Sequence, residues 1–511
     1  MRPEEKQDIL VNHLAILPFL IPLSAVSVAV LLHSRRPLQA GWSLGALLTS
    51  CAATAYLAWQ VFESGPVVFQ MGAWAAPFGI TIMADALGVL MALMVQVVTT
   101  FGLIYALGAQ DAAVRYPFFL PLYLTLVTGL TGAMLTGDIF NIFVMVELMV
   151  ISAIGLTAIS DDPNGAEAAL KYLYVGIITS ICLLIGIGSL YAAYGTLNMA
   201  DLATRVAADP SQPLLWIGIV FLFATFGVKA AAFPFHFWQP DFHTVAPTPI
   251  SAMLSSVVVK FGVYGFLRMT TLLFPAQADV LRDLLLAMGI AGVIYGGLGA
   301  LGTHNVKRML AYSTLAQVGL ILVGIGWGTP QSIAAALIFT VNHALIKSAM
   351  LMLAGYLASR AHIKSASFEI VEGLGKYAPF AGVLFFLGAM SLAGLPPTNG
   401  FVSKLTLFSA GAALNTSEGW AVLAAVGVPS LLTLIYVMRA FMRVWWQPRH
   451  QQEKVKPYGD SLLAPTCLIV LCIIFGAAAE PLLQISQKTA AWVTQPASYV
   501  AAVNLTRADG K

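Results

Sequence analysis

Residues 228–268 read VKAAAFPFHFWQPDFHTVAPTPISAMLSSVVVKFGVYGFLR, and this stretch decides what kind of protein the chain is. Lys229 and Lys260 stand inside otherwise apolar runs, and Pro234 breaks the first run just after its lysine. Breakers inside hydrophobic runs are tolerated in membrane bundles, where neighbouring helices satisfy the freed backbone groups. The rest of the 511 residues continue the pattern: 59% are hydrophobic, 10% charged, with 44 Gly and 26 Pro, and the mean hydropathy is +0.84. An ordinary soluble domain carries roughly 25% charged residues. The composition excludes a soluble fold and fits an all-α polytopic membrane protein.

At about 20 apolar residues per span, the chain predicts about fourteen transmembrane helices. They centre on 11–32, 40–61, 84–107, 116–136, 138–160, 168–193, 213–235, 248–274, 283–301, 307–327, 331–358, 379–413, 420–445 and 461–479. The run Val11–Leu32 is too long for the apolar core of a signal peptide and reads as a retained first span. Glu63–Asp85 is broken by Gly and Pro and reads as an extended loop. No extramembranous segment is long enough for a soluble domain, so residues 1–511 read as one membrane domain.

The net charge is only +3, without a basic cluster, which disfavours nucleic acid as a partner. The four cysteines, Cys51, Cys182, Cys467 and Cys472, lie in apolar segments without Cys-x-x-Cys spacing, so they indicate neither a disulfide framework nor a metal site. Sorted by loop, fourteen Lys/Arg, including Lys171, Lys307 and Arg308, fall on one side. Eight, including Arg2, Lys6, Arg268 and Lys511, fall on the other. The positive-inside rule then places both termini on the outer face.

Four cations belong to neither side: Lys229, Lys260, Lys347 and Lys404 are flanked on both sides by apolar helix, as is Glu147 in IFNIFVMVELMVISAIGL. At roughly 2.5–3.5 kcal/mol for each charge at mid-membrane, five unpaired groups would cost about 12–18 kcal/mol, as much as a whole domain's stability. They must be paired, hydrated or neutral. One buried lysine can snorkel to the interface; five such groups together point to a pathway. Desolvation disfavours a buried ammonium and a nearby carboxylate favours it, so a lysine whose distance to Glu147 changes can load and release a proton. Histidine titrates in the same range. His343 lies four residues before Lys347 in VNHALIKSAM, on the same helix face, and His236 and His243 lie between Lys229 and Lys260.

Two helices are interrupted. Pro234 follows Lys229, whereas Gly394, Pro396, Pro397 and Gly400 precede Lys404 in SLAGLPPTNGFVSK. Broken helices in corresponding positions, with the break on opposite sides of the lysine, are what inverted repeats produce, and such pairs mark transport sites. The stretch Gly297–Gly302, GLGALG, matches G-x-G-x-x-G but follows a helix rather than a strand and has no acid about 20 residues on, so it reads as close helix packing. No nucleophile–base set, P-loop or metal cluster is evident, so no cofactor is expected and the energy must come from an ion gradient or a partner.

These residues resemble one family: the proton-translocating membrane subunits shared by respiratory complex I and the multisubunit Mrp-type cation/proton antiporters. The resemblance covers nearly the whole chain and rests on TGDIFNIFVMVELM, residues 228–268, HNVKRMLAYSTLAQVG, NHALIKSAMLMLAG and GLPPTNGFVSK. GDIFNIFVMVEL and a lysine at position 404 are most similar to the D-type subunits of the Mrp Na+/H+ antiporters. The resemblance implies fourteen helices and two inverted five-helix repeats, placed at 116–274 and 283–445, with a C-terminal helix and tail at 461–511. It also implies a polar chain along the membrane midplane. In it Glu147 would pair with Lys229, Lys260 would be the central relay, His343 and Lys347 would bridge the halves, and Lys404 would be the terminal lysine. Gln239 departs from the leucine frequent in relatives, in a flank. The implied function is exchange of protons for Na+ or another monovalent cation, in a membrane complex with sister subunits. A proton-pumping subunit of a quinone- or hydrogenase-linked complex is the alternative. A non-transporting scaffold would gain nothing from buried lysines.

Overall fold

A computed structural model describes residues 12–74, 76–159, 163–449 and 455–508. The cations counted at Arg2, Lys6, Lys454 and Lys511 lie outside the described residues. The chain is an all-α polytopic membrane protein. Among the described residues, ten helices are long and apolar enough to cross a bilayer alone. Three shorter apolar helices, Phe119–Leu135, Leu215–Lys229 and Pro379–Ala393, and the bent pair Leu463–Ala477 and Glu480–Val493 accompany them.

Three spans form the centre: Thr248–Leu273, Val306–Gly326 and Pro330–Arg360 are buried along almost their whole length. Spans such as Arg36–Ser64, Gly165–Tyr194 and Ser417–Trp446 lie outside and turn large apolar side chains outward, among them Tyr174, Ile178 and Leu431. In lipid an outward Ile is at home, so the outer faces of these helices are apolar.

Glycine sets the closest approaches at the centre. A Cβ at Gly262 would overlap the backbone of Phe226 and Ala230, so the helix carrying Lys260 lies directly on the helix ending at Lys229. Gly289, Gly296 and Gly319 do the same between Ala278–Gly302 and Val306–Gly326. Of the GLGALG stretch, Gly299 packs beneath Tyr312, whereas Gly302 faces open space.

The structure corrects the expected boundaries in three places. The span expected at 213–235 stops at Lys229; the chain unwinds through Phe233-Pro234 and restarts at Gln239–Val245. Pro234 has no N–H to continue the helix. The expected loop Glu63–Asp85 holds a hairpin, Val67–Gln70 antiparallel to Thr81–Ala84. Thr81, Ile82, Met83 and Ala84 are all buried, so the in–out alternation that betrays a strand is missing. After Ala477 the chain bends by 80° into two more helices, Glu480–Val493 and Pro496–Ala508, where a tail was expected.

Candidate functional site

Most of the interior polar groups that meet one another lie on the central helices. Helix Thr248–Leu273 is α-helical at Val259–Arg268 and has π-helical turns on both sides, Leu254–Val258 and Met269–Leu273. Lys260 lies in the α-helical part and is fully buried. Its Nζ meets Nδ1 of His343 at 2.6 Å, a contact between residues 83 apart in the chain. His343 and Lys347 are one turn apart on Pro330–Arg360, both buried. Lys347 Nζ donates to the Leu310 carbonyl at 3.1 Å and to Ser313 Oγ at 2.9 Å, and Tyr436 donates to the same Ser313 oxygen at 2.8 Å.

From His343 a narrow cavity runs to Lys404, lined by Gln317, Asn342, Ser391 and Ser403. His343 Nε2, Gln317 Nε2 and Asn342 Oδ1 have no protein partner. Buried polar atoms left unpaired and grouped around a cavity are the usual lining of ordered water. Lys404 belongs to Asn399–Ala413, past the second helix break, and its Nζ donates to the carbonyls of Ala393 at 2.8 Å and Ser430 at 3.4 Å. Asn342 Nδ2 donates to Ser403 Oγ at 2.9 Å and ties the His343 helix to this half-helix.

Lys229 and Glu147 are arranged differently from the expected pair. No ion pair within 4 Å joins them; Glu147 is half-buried and accepts a hydrogen bond from Ser180. The reason is topological: the helix Pro163–Tyr194, which carries Ser180, packs against both the Glu147 helix and the Lys229 helix. Glu147 remains the charge that acts on Lys229. Among the described residues Lys229 Nζ makes no hydrogen bond.

His243 Nδ1 meets Ser251 Oγ at 2.9 Å while its Nε2 is unpartnered. The charges acting on His243 are Lys307 and Lys347. His236 packs against the rings of Phe233 and Tyr295 at 5.6 and 4.8 Å. Gln239, expected in a flank, is fully buried with both amide atoms unpartnered.

Two cations assigned to loops are interior. Lys307, at the start of Val306–Gly326, is 5% exposed and its Nζ donates to the Ala246 carbonyl at 3.4 Å. Toward the surface it faces the charges of Asp111, Lys364 and Asp460. Asp111 pairs with Lys364, and Asp460 accepts from Tyr105 at 2.5 Å and from the Gln110 N–H at 2.8 Å. Burial pushes the Asp460 carboxyl above the usual carboxylate range, against the lowering effect of those donors. Arg268, 4% exposed, pairs with Asp85. Charges at the ends of apolar runs read as loop residues, and only the packing of the bundle over them shows otherwise. Among the described residues no three His, Cys, Asp or Glu side chains are grouped to hold a metal ion.

The geometry can therefore support a lateral proton path. Lys260 meets His343, Lys347 lies one turn further along the same helix, and a cavity links His343 to Lys404. His243 and Lys307 form a branch toward Asp111 and Lys364 at one surface.

Comparison with known proteins bears on this arrangement. The family described as NADH:quinone oxidoreductase/Mrp antiporter, TM, matches residues 136–433. The D-type subunit of the Na(+)/H(+) antiporter of Alkalihalophilus pseudofirmus is 33% identical over 494 residues, 96% of this chain and 99% of the relative. Among solved structures, a chain of the Mrp complex from Dietzia sp. superposes with a TM-score of 0.88 at 27% identity, covering 97% of this chain and 99% of the other. A chain of an archaeal respiratory complex, the membrane-bound sulfane sulfur reductase, gives 0.87 at 31% identity, covering 96% and 99%.

Proposed function

Because the chain belongs to the NADH:quinone oxidoreductase/Mrp antiporter membrane family, we propose that it is the proton-carrying membrane subunit of a multisubunit monovalent cation/proton antiporter, with Na+ as the first cation to test. The observation that carries this reading is the Lys260–His343 contact inside a fully buried helix pair, continued by Lys347 and by the cavity to Lys404. Side chains that can exchange a proton, set within hydrogen-bond reach of one another away from bulk water, are the elements of a proton relay. A scaffold would fill the same volume more stably with apolar side chains.

In this reading Glu147 sets the charge state of Lys229, protons pass along the lysine–histidine series, and sister subunits complete the complex. The residues 116–274 and 283–445 serve as the two inverted repeats, each with one broken helix. Both termini face outward, as the loop charges favour. A second reading, a proton-pumping subunit of a redox complex, is favoured by the likeness to the archaeal respiratory complex. Neighbouring genes separate the two: small antiporter subunits support the first, iron–sulfur proteins the second.

The direct test measures Na+-dependent proton movement in vesicles holding the assembled complex, for His343→Ala and Lys347→Ala, across pH. Slower exchange per complex with a displaced pH profile is expected. An unaltered rate and profile in both variants would remove the connection between the halves.

A further inference from the structure

Asp85 and Arg268 are both buried, at 0% and 4% exposure, and meet through a two-pronged contact: Nη1 to Oδ2 at 2.8 Å and Nη2 to Oδ1 at 2.6 Å. The same carboxylate caps helix Ala86–Leu107 by accepting from the Gly88 N–H at 2.9 Å, and it accepts from Trp492 Nε1 at 3.0 Å. Arg268 Nε donates to Tyr264 at 3.1 Å, and the Tyr499 ring lies 5.1 Å from the guanidinium. One carboxylate thus joins the start of one span, the end of the Lys260 segment and helix Glu480–Val493.

A buried ion pair is a poor source of net stability, since its desolvation offsets most of its attraction. What a forked arginine–carboxylate contact supplies is orientation. Orientation matters for Val259–Arg268, because π turns flank it on both sides, so its register about the axis is not fixed by an unbroken α-helical ladder. Lys260 is eight residues from Arg268, about 12 Å along the axis. With side chains reaching roughly 6 Å from the axis, a turn of about 20° moves Lys260 Nζ by about 2 Å, enough to end a 2.6 Å contact.

We propose that Asp85 and Arg268 are positioning residues that hold the rotation of the Val259–Arg268 segment so that Lys260 meets His343, with Trp492 of helix Glu480–Val493 as a third point of the clamp. The role in transport rests on the proton-path reading above; the geometric role does not.

The test uses the whole complex with Asp85→Asn/Arg268→Gln, which removes both charges together and leaves no unpaired ion buried. Assembly close to wild type and a roughly tenfold loss of exchange per complex are expected. In a His343→Ala background, the same pair of changes should cost less than about a further twofold, because the contact it serves is already gone. Equal factors in both backgrounds, or no loss in either, would overturn the inference. A structure of the Asp85→Asn/Arg268→Gln complex reads the geometry directly. Lys260 displaced from His343 supports the clamp, and an intact contact overturns it whatever transport does. Should the double variant fail to assemble, Arg268→Lys, which keeps the charge and loses the fork, carries the same three measurements. Wild-type exchange by His343→Ala alone would sink the proton path, while the structure of the variant still decides the clamp.

Discussion

The two helix breaks bring a lysine to the same electrostatic setting by opposite routes. At the first, Lys229 is itself the last residue of Leu215–Lys229. At the second, Lys404 lies beyond the break and reaches back to the carbonyl of Ala393, the last residue of Pro379–Ala393. Both ammonium groups therefore sit at a helix C-terminus, where unpaired carbonyls and the helix dipole favour a cation. The difference lies in which group takes the carbonyls. Trp238 Nε1 and the Ala231 N–H both donate to the Val228 carbonyl, at 3.1 Å each, and Lys229 Nζ makes no hydrogen bond among the described residues. Lys404 is held by two carbonyls, in space that a Cβ at Gly394 would fill. One sequence pattern, a lysine beside a Pro/Gly break, thus yields an untethered ammonium near an acid and a tethered one without an acid.

The largest expected effect tests the untethered side. Glu147→Gln removes the charge that acts on Lys229, and exchange in vesicles should fall by about 100-fold or more while the complex still assembles. Normal exchange by assembled Glu147→Gln would break the comparison at its acidic end.

Next comes the tethered side. Arginine keeps its proton at any accessible pH, so Lys404→Arg should lose about tenfold or more in exchange rate. Wild-type turnover would sharpen the comparison instead, by making Lys404 an electrostatic fixture and leaving proton transfer to lysines such as Lys229.

Lys347 resembles Lys404 in being tethered, and Lys347→Ala leaves the Leu310 carbonyl and Ser313 without their donor. That should cost about 1–3 kcal/mol of stability, seen as less assembled complex and a lower melting temperature. A tether serving stability alone would leave exchange per complex unchanged, whereas a transport role slows it.

The smallest effect should come from Trp238→Phe, which deletes one neutral hydrogen bond of about 1 kcal/mol and opens the Val228 carbonyl to Lys229. Exchange should slow by roughly two- to threefold, the equivalent of about 0.5 kcal/mol, as Lys229 becomes tethered like Lys404. An unchanged rate would show that Trp238 does not keep Lys229 free.

Much of this was legible in the chain, and the misses have identifiable causes. Glu147, Lys229, Lys260, Lys347 and Lys404 stood out because a charge flanked by apolar residues on both sides is visible wherever the helix packs. Lys307 and Arg268 did not, because each sits at the end of an apolar run, where the same residue can face water or interior. The hairpin at Val67–Ala84 was hidden for a related reason: with both faces covered, its strands carry no alternation.

The sequence alone determined the class of protein, its many spans, the Pro/Gly breaks beside Lys229 and Lys404, and the ionisable groups flanked by apolar residues on both sides, because each is a property of consecutive residues against the thickness of a bilayer. Only the tertiary structure decided which of those groups touch. The Lys260–His343 contact joins residues 83 apart, Ser180 rather than Lys229 holds Glu147, and Asp85 clasps Arg268 across 183 residues. Such contacts depend on how closely helices cross and how far each is turned about its axis. Those quantities are set by glycine approaches such as Gly262 on Phe226 and by the π turns beside Lys260. Neither is written in the hydrophobic pattern of any single helix.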